Sequence, residues 1–285
     1  MLKPNSPFFS VIIPTYNRRH LFDIALKSVL NQTYKDFEVI VVDDGSTDQT
    51  NEVIKNFDDA RIKYLYQENH GVSHARNRGL EISRGKFIAF LDSDDRWVPQ
   101  KLRMAKELID GYPDIYIFHT NETWYKGGRL LNQKKKHKKP SGYAYQKALP
   151  LCCIGMSTAV VKRELFEKIG LFDESLPACE DYDFWLRATH SFEVKLIDEK
   201  LTVKDGGRTD QLSSQWGLDK HRIKALEKML YSNSLNEEEY KCTLGELVKK
   251  CQIYASGAGK RGRLKEANLY NELVRKYLAR NEGQL

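Results

Sequence analysis

The sequence has little that would staple, export or embed the chain. Its five cysteines (Cys152, Cys153, Cys179, Cys242 and Cys251) are odd in number, and none stands in a Cys-x-x-Cys pair or beside a histidine at zinc-ligand spacing. A disulfide framework is not indicated, and reduced thiols in a cytosolic setting are expected. No stretch reaches the roughly eighteen apolar residues of a membrane span, and residues 1–10 carry Lys3, Pro4 and Pro7 where a signal peptide needs an apolar run. Neither export nor a span is therefore expected. A Gly-rich phosphate loop is missing as well. Pro14-Thr-Tyr-Asn17 stands where Gly-x-Gly-x-x-Gly should open the first helix, which argues against a nicotinamide-dependent dehydrogenase and against a nucleotidyltransferase. What is present is length enough, at 285 residues, for one large α/β domain with a smaller appendage. The net charge of +7 favours anionic partners such as nucleotides, phosphorylated lipids or a membrane surface. Its densest run, residues 133–139 with five lysines and one histidine, has no interleaved aromatics, so nucleic acid is not expected.

Hydrophobic periodicity organises the first half. Short β-rich runs at 8–13, 37–42, 62–66 and 87–91 alternate with helical patterns at 21–30, around Val53 and Ile54, and at 71–82. That βαβαβαβ order predicts a parallel, right-handed, doubly wound sheet, Rossmann-like in type. A helix over 99–108 and a strand over 115–119 follow. Residues 122–131 read as a hairpin turning at Gly127-Gly128, and 133–139 as a mobile surface loop. Beyond them come a strand at 157–161, a short helix at 163–169 stopped by Gly170, and a helix at 180–188 with acids at its start. The last part is helical: 219–231, a helix to 251 opened by a capping box at Ser234-Leu-Asn-Glu237, and 263–278. The expected division is 1–210 as the main domain, split near residue 98 into halves 8–98 and 99–210, with 211–285 as a helical C-terminal appendage.

The chemistry is expected at residues 86–97, where an apolar strand ends in Asp92-Ser-Asp-Asp95. In open α/β sheets ligands bind beyond the carboxyl ends of strands, so these acids belong in the crevice and not in the core. Adjacent carboxylates repel, and a shared divalent cation would relieve them. Hard oxygen ligands favour Mg²⁺ or Mn²⁺. The alternative is a solvated turn that caps the next helix. Asp43-Asp44 ends a second strand in the same manner.

Four segments in fixed order carry a resemblance: Pro14-Thr-Tyr-Asn17, Val41-Val-Asp-Asp-Gly-Ser46, Gly71-Val-Ser-His-Ala-Arg-Asn77 and Leu91-Asp-Ser-Asp-Asp95, with Glu180-Asp181 downstream. Over about its first two-thirds the chain resembles the family 2 glycosyltransferases of GT-A fold. The resemblance implies inverting transfer of a sugar from a nucleotide-sugar donor, usually UDP-linked, to a hydroxyl of a sugar or lipid-linked acceptor. Bacterial cell-surface polysaccharide assembly is the setting it implies; the charge of the lysine tract, with the basic tail, separately suits peripheral docking of a cytoplasmic enzyme on anionic lipid at the inner face of the cell membrane. By the same resemblance Asp44 accepts the uracil N3 hydrogen, which cytosine lacks; helix capping is its other reading. Tyr16 offers a ring to the base, with Pro14 and Thr15 as backbone contacts, although a lone aromatic is more often core. Arg76 is a phosphate or carboxylate partner, or a structural ion-pair partner of Asp92. Asp92 and Asp94 correspond to the Asp-x-Asp motif, with Asp94 on the metal and Asp92, beside Ser93, on the ribose or a metal-bound water. Asp181 corresponds to the catalytic base, with Glu180 orienting it or the acceptor; alternatively both acids only favour a helix N-terminus. In one place the pattern departs: Arg208 stands where many members carry a metal-binding histidine, and a guanidinium there suits the diphosphate directly. A non-catalytic binding module of the same fold is the rival reading.

Overall fold

The structure is a computed structural model describing residues 6–208, 210–212 and 215–282. Thr209 and Ser213, which flank the departure at Arg208, lie outside the described residues. Strands β1 (Phe9–Thr15), β2 (Phe37–Asp44), β3 (Ile62–Gln67) and β4 (Phe87–Phe90) pair in parallel in the order β3-β2-β1-β4. Helices α1 (Arg19–Leu30), α2 (Thr50–Ile54) and α3 (Val72–Ile82) make the crossovers. Every residue of β1, β2 and β4 is buried, as expected of strands covered on both faces. Successive side chains feed two cores. Val11 and Ile13 join Phe22, Leu26 and Leu102 on one side, while Ile12, Ile40 and Phe90 join Ala75, Trp185 and Leu226 on the other. Gly85, just before β4, allows a close approach: a Cβ there would stand 2.4 Å from the Ser10 nitrogen.

The second half extends and curls the sheet. After β5 (Asp95–Trp97) and α4 (Lys101–Gly111) come β6 (Ile117–Lys126), β7 (Arg129–Leu131), α5 (Tyr145–Ala148), β8 (Ala159–Lys162), α6 (Glu164–Ile169), α7 (Glu180–Ser191) and β9 (Val194–Gly206). β8 runs antiparallel between β4 and β6, β9 lies parallel to β6, and β5 closes the order antiparallel to β9. Helices α8 (Asp219–Tyr231), α9 (Glu237–Lys260) and α10 (Leu264–Glu282) continue the core of α3 and α7, through Ile223, Leu226, Leu247 and Tyr277.

Several local expectations are corrected. The strand expected at 115–119 and the first arm of the hairpin are one strand, β6, whose register shifts around Asn121. β5 and β9 add to the expected strands; Lys195, Asp198, Glu199, Lys200 and Lys204 break the alternation of β9. Asp95, expected in the crevice, is buried in β5. The capping box is two residues later than expected. Asn236 Oδ1 accepts from the Glu239 nitrogen (2.9 Å) and Glu239 Oε2 accepts from the Asn236 nitrogen (3.0 Å), while the Ser234 hydroxyl pairs with that of Ser232. α9 runs on to Lys260, well past residue 251, because α10 packs against its far end and buries Ala258. The lysine tract is not all solvated loop: residues 135–137 form a 3₁₀ turn, and Lys139 is buried with its Nζ 2.9 Å from Glu122 Oε1.

Candidate active site

Helix α3 is the spine of the site, held at its entrance by Asp44. That carboxylate, buried at the end of β2, accepts from Gln67 Nε2 (2.6 Å) and from the backbone nitrogens of His70 (2.9 Å) and Gly71 (2.8 Å). Gly71 lies at φ +90°, where a side chain would be strained, and so lets the chain turn into the helix. The capping alternative for Asp44 is thus displaced: it organises the loop before α3, whereas the start of α2 is bonded by Asp48 (Thr50 N to Oδ1, 3.1 Å). Asp43 turns the other way, accepting from the Tyr64 hydroxyl (2.7 Å) and the Ser46 nitrogen (2.9 Å).

One turn into α3, buried Arg76 reaches across the crevice. Its guanidinium donates to Asp92 Oδ1 (2.8 Å) and to Glu180 Oε1 (2.5 Å). Residues distant in sequence, from β4's end and α7's start, are thereby tied to one cation. Burial opposes the charge on Asp92, but Arg76 and Lys204 outweigh it and hold the carboxyl below its ordinary value. Burial wins at Glu180, whose pKa is raised despite Arg76 and with Asp181 adding to the rise. Asp92 is further fixed by its backbone nitrogen, which donates to the Ser157 hydroxyl (3.1 Å).

The other two acids of the cluster have separate partners. Arg208 donates to Asp94 Oδ2, as does Gln211 Nε2 (3.2 Å). Nearby, Arg18 pairs with Asp210. Asp95 lies 3.2 Å from Lys204 Nζ. Burial, opposed by Lys204 and reinforced by Asp94 and Asp92, pushes Asp95 up to about 7. Each carboxylate therefore has its own basic side chain, and like-charge repulsion alone does not require a metal. Among the described residues no group of three or more His, Cys, Asp or Glu side chains is assembled to hold one. A hard-oxygen pair, Asp92 and Asp94, remains at the crevice, and Asp94's partner Arg208 is itself 27% exposed. That donor set fits a divalent cation whose remaining ligands come from a bound diphosphate and water.

The remaining expected residues fall around this centre. Tyr16 is exposed (48%) beyond β1, as a base-stacking ring requires and a core aromatic does not. Pro14 and Thr15 are buried in β1, and the Thr15 hydroxyl has no hydrogen-bond partner among the described residues. Ser93 is buried in the turn between β4 and β5. At the start of α7, Glu180 is turned inward on Arg76 and Asp181 is half-buried. The Cys152 thiol donates to Asp181 Oδ2 (3.3 Å). Sequence reasoning did not single out Cys152, Lys204, Arg18 or Gln211, whose roles arise from pairings across more than twenty-five positions.

Residues 10–170 match the family described as Glycosyl transferase family 2. The chain belongs to that family. Uncharacterized glycosyltransferases of several Rickettsia species are 34–38% identical to it, and the chain spans only 26–64% of their length. It is 36% identical over 193 residues to WfgD of Escherichia coli, a UDP-Glc:alpha-D-GlcNAc-diphosphoundecaprenol beta-1,3-glucosyltransferase, covering 66% of this chain and 72% of WfgD. Its fold matches that of S. aureus TarS 1-349 in complex with UDP-GlcNAc, with TM-score 0.67, 20% identity, and 94% and 91% of the two chains covered. The mannosyltransferase PcManGT from Pyrobaculum calidifontis, in complex with GDP-Man and Mn²⁺, matches with TM-score 0.65 and 19% identity over 96% and 84%. The chain thus has the GT-A fold of these glycosyltransferase structures.

Proposed function

We propose that the chain is an inverting glycosyltransferase that moves a sugar from a UDP-linked donor to an acceptor hydroxyl in cell-surface polysaccharide or glycolipid synthesis. The observation that carries this reading is the α3-centred clamp. Asp44 orders the entrance of α3, Arg76 ties Asp92 to the start of α7, and Arg208 sits on Asp94, all beyond the carboxyl ends of β2 and β4. The UDP-Glc in the name of WfgD supports the choice of donor, and the Mn²⁺ in the PcManGT complex supports a metal.

In this reading the Asp44 carboxylate, with three of its about four lone-pair sites taken, offers the last to uracil N3–H. Tyr16 stacks on the base from the exposed side. Asp94, with Asp92, would hold the divalent cation, which when bound supplies a Lewis acid at the departing diphosphate. Arg208 exchanges Asp94 for that diphosphate as the donor enters, adding a guanidinium where negative charge accumulates. Asp181 takes the proton of the acceptor hydroxyl on the face opposite the leaving group. Glu180 is a positioning residue, holding Arg76 and the first turn of α7 in register.

Calorimetric titration with UDP, with GDP and dTDP as controls and with or without Mn²⁺, tests the donor side on wild type, Asp94→Ala and Arg208→Ala. Selective UDP binding that Mn²⁺ strengthens in wild type but not in Asp94→Ala is expected. Arg208→Ala should weaken UDP while making Mn²⁺ more important. Preference for another nucleotide would overturn the role of Asp44, and binding of none would return the chain to a non-catalytic module.

A further inference from the structure

One loop touches both Asp181 and Asp92. Between α5 and β8 the chain runs over residues 149–158, and it is fastened at both ends. At its start the Tyr182 hydroxyl donates to the Leu149 carbonyl, and Lys250 Nζ to the Pro150 carbonyl (2.9 Å). At its end Trp97 Nε1 donates to the Ser157 carbonyl (2.8 Å), and the Ser157 hydroxyl accepts from the Asp92 nitrogen (3.1 Å). Cys153 and Ile154 between them are buried, and Gly155 passes so close to β6 that a Cβ there would stand 3.2 Å from Glu122 Oε2.

Cys152 lies in this loop, and its thiol meets Asp181 Oδ2 at 3.3 Å. Asp181 Oδ1 is engaged separately, accepting from the Tyr182 nitrogen (2.7 Å) in the first turn of α7. An acid that served only as a favourable charge at a helix start would need no contact at the other oxygen. The carboxylate is thus held at both oxygens, and lone pairs remain for an incoming proton. A thiol has a single hydrogen, and the Ile154 carbonyl is a second acceptor at 3.2 Å. While Asp181 is ionised it is the stronger acceptor of the two. Once Asp181 is protonated, the same hydrogen has the Ile154 oxygen to turn to. Burial, and after it the Asp181 carboxylate, push the Cys152 thiol well above its ordinary pKa, so the sulfur is a donor and not a thiolate that would repel the base.

We propose that Cys152 is a positioning residue for the base: its thiol fixes the direction of the ionised Asp181 carboxylate, from the same loop that fixes Asp92, and passes to the Ile154 carbonyl when Asp181 takes up the acceptor's proton. In that step the acceptor oxygen bonds to the anomeric carbon as the bond from that carbon to the diphosphate breaks. The acceptor's proton goes to Asp181, and the sulfur keeps its own hydrogen throughout. A thiol is a weak donor, which orients a carboxylate while competing little with the proton it is to receive. The inference rests on the reading of Asp181 as the base and adds the residue that aims it.

Two measurements on the full chain test it. The first is the infrared S–H stretching band of Cys152, isolated by subtracting the spectrum of Cys152→Ala, or of Cys152→Ser should the alanine variant fail to fold. A thiol bonded to a carboxylate absorbs at lower frequency than one bonded to an amide, because the charged acceptor draws the hydrogen more strongly. The wild-type band should therefore lie below the band from the same subtraction in the Asp181→Asn background, and equal positions would overturn the contact. The second is release of UDP from UDP-glucose, UDP-galactose and UDP-N-acetylglucosamine with water as acceptor, alongside calorimetric UDP affinity. Cys152→Ala should lower kcat about tenfold with donor KM and UDP affinity unchanged, and Cys152→Ser, which keeps a donor, should recover to within about threefold of wild type. A full rate in Cys152→Ala where Asp181→Asn is inactive would overturn this inference alone. So would a matching loss of UDP affinity, or no recovery with serine, since either marks a merely structural side chain. An undiminished rate in Asp181→Asn, or no release by wild type from any of the three donors, would remove the base reading and this inference with it.

Discussion

Replacing Arg76 by alanine removes a cation that two carboxylates share and tests the spine of the site directly. Arg76 is 3% exposed, Glu180 5%, and the Asp92 side chain 29%. Breaking a buried pair by deleting one partner costs about 3–5 kcal/mol, since the remaining charge is left uncompensated. Asp92 is partly solvated, and solvent screens its share, so the lower end, about 3 kcal/mol at pH 7, is the expected loss. In thermal melts that corresponds to roughly 6–12 °C for a chain of this size. The sign of the pH dependence follows from the shifts. With Arg76 present, the Asp92 carboxyl lies below its ordinary value and contributes stability that disappears only as pH falls through the folded pKa. Without Arg76, burial gains on both acids, opposed at Asp92 chiefly by Lys204, and raises them relative to wild type, so the folded variant binds protons that the unfolded chain has released. Its deficit is therefore small near pH 4 and fully developed above pH 6. Urea denaturation of wild type and Arg76→Ala between pH 4 and 8 measures the difference, with Arg76→Lys expected to fall between them because one ammonium cannot fork to both acids. A deficit below 1 kcal/mol at neutral pH, or one that is the same at both ends of the range, would refute the shared-counterion argument.

Two further outcomes are expected. Lys101 is completely buried, donates to the Thr158 carbonyl (2.8 Å), and is pushed by burial, against the pull of Glu122, from 10.5 to about 7. The unfolded chain then holds the extra proton between those values, so this group's contribution to stability rises with pH, by about 2 kcal/mol from pH 7 to 9. Denaturation at the two pH values should show that gain in wild type relative to Lys101→Met, and parallel curves would show that Lys101 keeps an ordinary pKa. Lys134, Lys135, Lys136 and Lys138 are exposed, whereas Lys139 is buried on Glu122. Replacing those four by glutamine is expected to reduce sedimentation with phosphatidylglycerol vesicles several-fold while UDP affinity stays as it was, and undiminished association would remove the membrane role of the tract.

Much of the parallel half was legible in the sequence, because a strand buried on both faces must be apolar at consecutive positions and the helix between two such strands must show a 3.6-residue stripe. Residues 8–13, 37–42, 62–66 and 87–91 carry that signature, and the order of Pro14, Asp44, Arg76 and Asp92 along them sufficed to recognise the family. The curled half was less legible. β9 has a mixed environment and its charges serve individual partners, Lys204 on Asp95 among them, so no simple alternation survives. The capping box shifted by two residues because two overlapping pairs, Ser234 with Glu237 and Asn236 with Glu239, satisfy the same pattern, and only the packing of α9 selects between them.

What the sequence alone determined is the set of groups and their order: acids at strand ends, an arginine on the third helix, acids opening a later one. Local spacing and hydrophobic period suffice for that, since both act over a few residues. Tertiary structure decided which charges meet. Arg76 binds Asp92 and Glu180 across 16 and 104 positions, Arg208 covers Asp94 across 114, and the Trp216 loop meets Arg261 at the end of α9. Such pairs form only when the sheet order brings strand ends and helix starts into one crevice, and no spacing in the chain encodes that distance.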